Sequence, residues 1–72
     1  MKRRLETEES AVSLAVSGIT KKFKIQTNSI QSLETKYDDD SGDWYVALGW
    51  EDKIAVIRMD SGQAKILEIN EI

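Results

Sequence analysis

The acidic side chains of residues 38–43 are the group in this chain whose type and spacing come closest to a chemical site. Clustered carboxylates can bind calcium, and the EF-hand loop does so with oxygen ligands at its third and fifth positions and a glutamate at its twelfth. Counted from the first aspartate, the twelfth position is Gly49. Counted from Asp40, the third and fifth positions are Gly42 and Trp44. The spacing does not fit, so we predict an exposed hairpin loop without a specific metal site.

Acid–base catalysis is the second chemistry that the carboxylates suggest. It would need carboxylates held in a water-poor cleft, whereas Asp43, Glu51 and Asp52 fall in predicted turns. The sequence contains neither histidine nor cysteine, so the commonest general base, the usual zinc ligand and the thiolate nucleophile are absent. A glycine-rich phosphate loop is absent as well. We therefore predict that the protein is not an enzyme and binds no cofactor.

Aromatic and basic residues together suggest a third chemistry, the binding of a small ligand or of single-stranded nucleic acid by stacking. The aromatic candidates are Trp44, Tyr45 and Trp50, and the basic ones are Lys2, Arg3, Arg4, Lys21, Lys22 and Lys24. A formal net charge of -3 works against a general electrostatic attraction to phosphate. Trp50 keeps this alternative open because it lies next to a turn, where Lys53 would be its neighbour across the hairpin.

These residues are positioned by the segment from Asp43 to Asn70, which contains three consecutive predicted strands. In the first strand Trp44, Val46, Leu48 and Trp50 alternate with Tyr45, Ala47 and Gly49. This period of two indicates a strand with one buried face. Residues 54–59 and 64–69 form the next two predicted strands. Two-residue loops at Glu51-Asp52 and Ser61-Gly62 would join the three strands as antiparallel hairpins.

The two predicted loops fix which residues lie opposite each other. They pair Trp50 with Lys53, Leu48 with Ala55, Val46 with Ile57, Trp44 with Met59, and Ile57 with Ile66. The predicted core face carries Trp44, Val46, Leu48, Trp50, Ala55, Ile57, Met59, Ala64 and Ile66. The opposite face carries Tyr45, Ala47, Ile54, Val56, Arg58, Lys65, Leu67 and Ile69. A slip of one residue in either loop would exchange the two sets on the affected strand.

The opposite face has a contiguous apolar patch at its centre. Monomeric proteins seldom leave more than a few hundred Å² of such surface uncovered. Either another segment of the chain or another molecule is therefore expected to cover it. We predict that this face binds a protein partner or a second copy of the chain, and the predicted contact residues are Ile54, Val56, Arg58, Leu67 and Ile69.

The segment before the sheet has the period of an amphipathic helix. From Thr7 to about Phe23, apolar residues recur at steps of three and four, with Thr7 as a suitable N-cap. Gly18 interrupts the pattern and marks either a close contact or an early helix end. A looser alternation follows and predicts the first strand of the sheet, with Ile30, Leu33, Thr35 and Tyr37 as its spaced residues. The predicted fold is α+β, with one N-terminal helix packed on a four-stranded antiparallel meander sheet.

Length and composition fit one small domain. A chain of 72 residues with 40% hydrophobic and 32% charged residues is expected to fold as a single domain over residues 1–72, with residues 1–6 disordered. No apolar run approaches the length of a membrane-spanning helix. Glutamates follow the basic start at the place where a signal peptide would have its apolar region. We predict a cytoplasmic protein, or an extracytoplasmic one if a natural signal or anchor belongs to a longer chain.

Two short motifs carry a resemblance to a known family. They are Trp44-Tyr45-Val46 in the second strand and Asp60-Ser61-Gly62 before Ile66-Leu67. With them, the chain from Ala11 onward resembles the PepSY-type domain. The resemblance implies a small α+β module of extracytoplasmic or membrane-linked proteins, with an inhibitory or binding role. The order of elements is also similar to that of small gas-vesicle accessory proteins, although this sequence lacks their longer inter-strand insertion and basic C-terminal end.

Overall fold

The computed structural model describes residues 5–72, and in this range the chain forms one α-helix and one four-stranded sheet. Helix α1 spans Glu8–Phe23, and the strands are β1 Gln31–Asp38, β2 Asp43–Trp50, β3 Lys53–Asp60 and β4 Lys65–Glu71. The strands are antiparallel and lie in the order β1-β2-β3-β4, with the helix on one face. Within the described range, no helix has both the length and the apolar content that crossing a bilayer requires. The predicted α+β fold and its meander sheet are confirmed.

Helix α1 begins and ends where the local sequence provides caps. The side chain of Thr7 accepts a hydrogen bond from the Ser10 amide at 3.1 Å, and the Thr7 amide donates to the Ser10 hydroxyl at 3.3 Å. This reciprocal pair is a capping box. At the other end Lys24 has a left-handed conformation with φ 56°, and its amide donates to the Thr20 carbonyl. The predicted N-cap and extent of the helix are confirmed.

Gly18 lies inside the helix, at the place where α1 packs against β4. A Cβ atom added there would overlap Cδ1 of Ile66 and would lie 3.9 Å from Cδ1 of Ile69. The absence of a side chain therefore allows the helix to approach the sheet closely. Of the two meanings predicted for this glycine, the close contact is correct, and the helix continues to Phe23.

The β2–β3 hairpin has the predicted register. It pairs Trp50 with Lys53, Leu48 with Ala55, Val46 with Ile57, and Trp44 with Met59. Within its two-residue loop Glu51 has φ 54°. Such loops require a positive φ, which glycine or asparagine usually supplies. The central hairpin therefore forms with a glutamate in a conformation that favours glycine.

The β3–β4 hairpin differs from the prediction. Four residues, 61–64, follow Asp60 before β4 begins. Ala64 has the left-handed conformation, with φ 53°, and Gly62 does not. The Asp60 carboxylate accepts a hydrogen bond from the Gln63 amide at 3.1 Å, which stabilises this longer turn. The expected two-residue loop is wrong.

A β-bulge also changes the faces of β4. The register shifts between Arg58 and Met59 because the bulge inserts one extra residue in β4. As a result, Ile69 lies opposite Ile57. Both Ile66 and Ile69 pack against the core on the helix side of the sheet. The predicted pairing of Ile57 with Ile66 is wrong, and so is the predicted placement of Ile69 on the opposite face.

Strand β1 contains a second bulge. Its pairing with β2 shifts between Ser32 and Glu34, which leaves Leu33 as the extra residue. Leu33 is 50% exposed, and its Cδ1 lies 3.2 Å from the position that a Cβ of Gly49 would take. The predicted first strand is confirmed, but Leu33 lies on the face away from the helix.

The core lies between the helix and the sheet. Its buried apolar residues are Leu5, Ala11, Ala15, Ile19, Trp44, Val46, Leu48, Trp50, Ala55, Ile57 and Met59. All members of this group that belong to β2 and β3 were predicted on the core face. Leu5 is an exception to the disorder expected for residues 1–6, because its side chain is 5% exposed. Residues 1–4 lie outside the described residues.

Leu5 joins the chain before the helix to one end of the sheet. Its amide donates to the Ser61 carbonyl at 3.0 Å, and its carbonyl accepts the indole N–H of Trp44 at 2.9 Å. Ser61 in turn donates from its amide and its hydroxyl to the Gly42 carbonyl, at 3.0 and 2.6 Å. The β1–β2 and β3–β4 turns and the start of the chain are therefore hydrogen-bonded together.

Candidate binding face of the sheet

The sheet face opposite helix α1 is not covered by another element among residues 5–72, and we call it the open face. Side chains of a strand alternate between the two faces, so the residues between buried positions point to it. The two central strands contribute Tyr45, Ala47, Gly49, Ile54, Val56 and Arg58. The edge strands contribute Leu33, Glu34, Lys36, Glu68 and Asn70.

The register arranges the open face in rows that run across the four strands. One row, which we call the charged row, contains Lys36, Tyr45, Arg58 and Glu68. The next row, the apolar row, contains Glu34, Ala47, Val56 and Asn70. Beyond it, Ile54 is paired with Gly49, over which Leu33 lies. Apolar side chains therefore form the centre of the open face, and charged and amide groups lie at the ends of the rows.

The centre of the open face is accessible and slightly concave. Tyr45, Ala47 and Val56 are half-buried, and Ile54 is 42% exposed. A shallow groove of about 290 Å³ is lined by Glu34, Lys36, Tyr45, Ala47 and Val56. Side chains of one sheet face form its walls, so it is open to solvent along one side. Such a groove suits the surface of a partner better than a small molecule, which binds in a site that encloses most of its surface.

Arg58 lies between two carboxylates on the open face. Its Nε is 3.6 Å from Oδ2 of Asp43 and 3.9 Å from Oε1 of Glu68. Both distances are too long for a hydrogen bond, and this nitrogen is buried without a hydrogen-bond partner among residues 5–72. The side chain as a whole is 40% exposed. The exposed part of the Arg58 side chain can receive an aromatic ring or a carboxylate from another molecule.

The acidic segment of residues 38–43 is less exposed than predicted. Asp38 and Asp43 are the paired end residues of β1 and β2, and Asp43 is 7% exposed. The predicted exposure is therefore wrong at Asp43, whose carboxylate pairs with Arg58. The exposed aspartates of the turn are Asp39 and Asp40. Over the described range, no group of three or more acidic side chains is placed so that it could hold a metal ion.

The predicted contact residues divide between the two faces. Ile54, Val56 and Arg58 lie on the open face, as their register with β2 requires. Leu67 is the extra residue of the β4 bulge and is 44% exposed. Ile69 does not belong to the open face, because it packs against helix α1.

Leu33 is a residue of the open face that alternation did not predict. The spacing does not mark it, because Leu33 and Thr35 are two positions apart, as residues of one face are, and the bulge puts them on different faces. The bulge of β4 does leave a signal, because Ile66 and Ile69 both pack against the core and are three positions apart. A step of three within a strand is what one extra residue in a bulge produces.

The two tryptophans belong to the core. Trp44 is 6% exposed and Trp50 is 4% exposed. The ring of Trp50 packs 5.1 Å from that of Phe23, and the ring of Trp44 packs 5.0 Å from that of Tyr37. Because both indoles are buried, neither offers the exposed ring face that base stacking requires.

The described basic residues predicted to act with Trp50 lie at the C-terminal end of helix α1. Lys21 and Lys22 lie in the last turn of α1 and Lys24 caps it, and all three are exposed. Lys2, Arg3 and Arg4 lie outside the described residues. Among the described residues, the basic side chains therefore lie on the helix and the indole of Trp50 lies inside the core.

No family model, curated protein or solved structure matches this chain. The resemblance to PepSY-type domains and to gas-vesicle accessory proteins stays a prediction. The composition and geometry of the open face are then the basis on which a function can be inferred.

Proposed function

We propose that this protein is a small, non-enzymatic module that binds another protein through the open face of its sheet. The observation that supports this proposal is the apolar centre of that face, which residues 5–72 leave uncovered. An antiparallel sheet with one solvated face usually places polar side chains there. Leu33, Ile54 and Val56 depart from that rule, while the row ends carry charges. An apolar centre with a polar rim is the usual composition of a protein interface.

Two residues at the centre of the charged row are of the types that contribute most to binding. Tyr45 and Arg58 lie opposite each other in the β2–β3 register, and tyrosine and arginine are enriched among the residues that dominate interface energies. Tyr45 is already half-buried, and Arg58 is held beside Asp43 and Glu68. Both side chains would therefore lose little further conformational freedom when a partner binds.

A binding role also fits the shape of the open face. Its grooves are shallow, so a reacting group there would stay in contact with water, which weakens the electrostatic effects on which catalysis depends. A binding role is also what the resemblance to PepSY-type domains implies. The competing proposal, a binder of small ligands or single strands through Trp50, has less support because the Trp50 side chain is 4% exposed.

A photo-reactive amino acid placed on each side of the molecule tests the proposal. It would replace either Val56 on the open face or Ser13 on the exposed side of α1, in cells that produce the protein. We expect irradiation to give adducts with another protein chain from position 56 and none from position 13.

A charge in the apolar row provides the matched control. With the photo-reactive residue at Ala47, Val56→Lys should abolish the adducts, because a buried ammonium group in the interface would lose its water. Ser13→Lys adds the same charge on the helix and should leave the adducts unchanged. Equal yields from positions 56 and 13, or no adducts from either, would contradict the proposal.

A further inference from the structure

We infer that the occupant of the open face is a second copy of this chain, related to the first by a two-fold axis that runs parallel to the strands. This inference rests on the proposed function, because it uses the same open face, and it adds the partner and the orientation. Sheets that pack face to face keep their strand directions within about 30° of each other. The rows of one sheet therefore lie over the rows of the other.

The charged row matches itself under such an axis. The axis places β1 of one copy over β4 of the other, and β2 over β3, while each row stays at its own height. Lys36 then faces Glu68 of the second copy, which joins opposite charges. Tyr45 faces Arg58 of the second copy, so that a guanidinium can lie on a tyrosine ring. By symmetry each pair occurs twice.

The rows on either side match in the size of their central apolar side chains and, at one edge, in charge. In the apolar row, Ala47 faces Val56 of the second copy, a small side chain against a larger one. In the following row, Ile54 of the second copy faces Leu33, which lies over Gly49, so two apolar side chains meet.

At the other end of the sheet, the next row contains Asp38, Asp43, Asp60 and Lys65. Asp38 faces Lys65 of the second copy, again with opposite charges, whereas Asp43 faces Asp60 of the second copy, with like charges. The guanidinium of Arg58, whose Nε is 3.6 Å from the Asp43 carboxylate, offsets part of that repulsion. Apolar groups therefore meet at the centre and unlike charges meet at the edge strands.

A two-fold axis across the strands gives a poorer match. Such an axis places each strand over the same strand of the second copy, running in the opposite direction. The charged row of one copy then lies over the apolar row of the other. Arg58 would then face Val56 of the second copy, and Asp60 would face Ile54 of the second copy. Arg58 and Asp60 would lose water against apolar side chains without gaining a partner. Lys36 with Glu34 would be the one type of opposite-charge pair between the two rows. The pattern of charges therefore favours the axis along the strands.

The area of the open face sets the strength of the association. Four strands about 4.8 Å apart and about 27 Å long give about 500 Å² for each copy, or about 1,000 Å² for the pair. This area is at the lower limit of specific interfaces. We expect a dimer that forms and dissociates reversibly as the protein concentration changes.

Two charge reversals, studied singly and then mixed, test the inference. Lys36→Glu brings two carboxylates together in each edge pair, and Glu68→Lys brings two ammonium groups together. Each variant alone should need a concentration roughly tenfold higher than the wild type for half-association in a sedimentation or size-exclusion dilution series. In an equimolar mixture, one copy supplies only carboxylates and the other only ammonium groups. The mixed dimer should therefore associate about as tightly as the wild type.

Two outcomes would overturn the inference. The first is a wild-type protein that stays monomeric over the whole dilution series. The second is a Glu68→Lys variant that associates as tightly as the wild type, with a mixture no tighter than that variant. The crossed axis requires this result, because there Glu68 faces the uncharged Asn70 of the second copy, while Lys36 faces Glu34. Positions 36 and 68 are exposed, so both variants should unfold at nearly the wild-type denaturant concentration. If one does not fold, the doubly reversed chain, Lys36→Glu with Glu68→Lys, must dimerise with itself.

Failure of this inference is distinguishable from failure of the proposed function. Irradiation of the purified protein with the photo-reactive residue at position 56 reports contacts between copies of the chain. Self-adducts support the inference. If adducts form only in cells and only with other proteins, the inference of a second copy is overturned, and the open face remains a binding surface. Absence of both kinds of adduct would overturn both proposals.

Discussion

Two residues other than glycine have left-handed backbones in the turns of the sheet, Glu51 with φ 54° and Ala64 with φ 53°. For an L-residue this conformation costs roughly 1–2 kcal/mol, because Cβ approaches the following carbonyl oxygen. Glycine avoids that contact but is more flexible in the unfolded chain, which costs about 0.4–1 kcal/mol. The two effects oppose each other, and at an exposed position such as Glu51 the steric effect is the larger.

Glu51→Gly is therefore expected to raise the free energy of unfolding by about 0.5–1 kcal/mol, measured by urea denaturation. Asp52→Gly is the matched control, since Asp52 lies in the same two-residue loop without a positive φ. It should lower the free energy of unfolding by about 0.5–1 kcal/mol, because only the unfolded chain gains freedom. Changes of the same sign in both variants would contradict the left-handed backbone at Glu51.

These turn residues also explain how far the sequence predicts the open face. Ile54 and Val56 were placed correctly because they belong to β3, whose register follows from the alternation in β2 and a two-residue loop. Ile69 was placed incorrectly, because the register of β4 depends on the turn before it. In that turn Ala64 has the left-handed conformation that would be expected of Gly62. The hydrophobic pattern fixes a face only where the loop before it is known.

At the scale of elements, the close contact between α1 and β4 depends on Gly18, which has no Cβ atom. Gly18 has the lowest helix propensity of any residue type except proline, at a cost of about 1 kcal/mol relative to alanine. The space beside it is filled by Ile66 from β4. Close packing between helix and sheet therefore offsets a local preference against the helix.

Gly18→Ala is expected to lower the free energy of unfolding by up to about 2 kcal/mol. Overlap of the new methyl group with Cδ1 of Ile66 costs about 1–3 kcal/mol, and the better helix propensity of alanine offsets about 1 kcal/mol of that. Ile66→Val removes that carbon atom and provides the control in a double-mutant cycle. The double variant should be more stable than the sum of the two single changes predicts, as followed by urea unfolding. If Gly18→Ala stabilises the protein through helix propensity alone, the helix does not approach β4 this closely.

At the scale of the whole molecule, a residue near the start of the chain closes the end of the sheet. Leu5 is hydrogen-bonded to Ser61 and to Trp44, which are far from it in sequence. In a chain of 72 residues each buried leucine is a large part of the core. The stability of the sheet therefore depends on a segment outside every helix and strand.

Leu5→Ala is expected to lower the free energy of unfolding by about 2–5 kcal/mol, as leucine truncations in cores do. Tryptophan emission of the folded variant should shift to longer wavelength, because the Leu5 carbonyl that accepts the indole N–H of Trp44 is then held in place by less side-chain packing. Glu6→Ala, at the exposed neighbouring position, should change the stability by less than about 0.5 kcal/mol. A loss below about 1 kcal/mol in Leu5→Ala would show that the start of the chain is not docked in solution.

The two β-bulges limit how an assembly through the open face, as inferred above, could grow. Strands β1 and β4 are the edges of the sheet, and each is interrupted, at Leu33 and at Leu67. A bulged edge is a poor template for a further strand, so filament growth by strand addition is hindered on both sides. A two-fold contact between open faces consumes the face of each copy and leaves none for a third. Assembly would then stop at two copies. A higher protein concentration would increase the fraction of chains in dimers and would not produce longer assemblies.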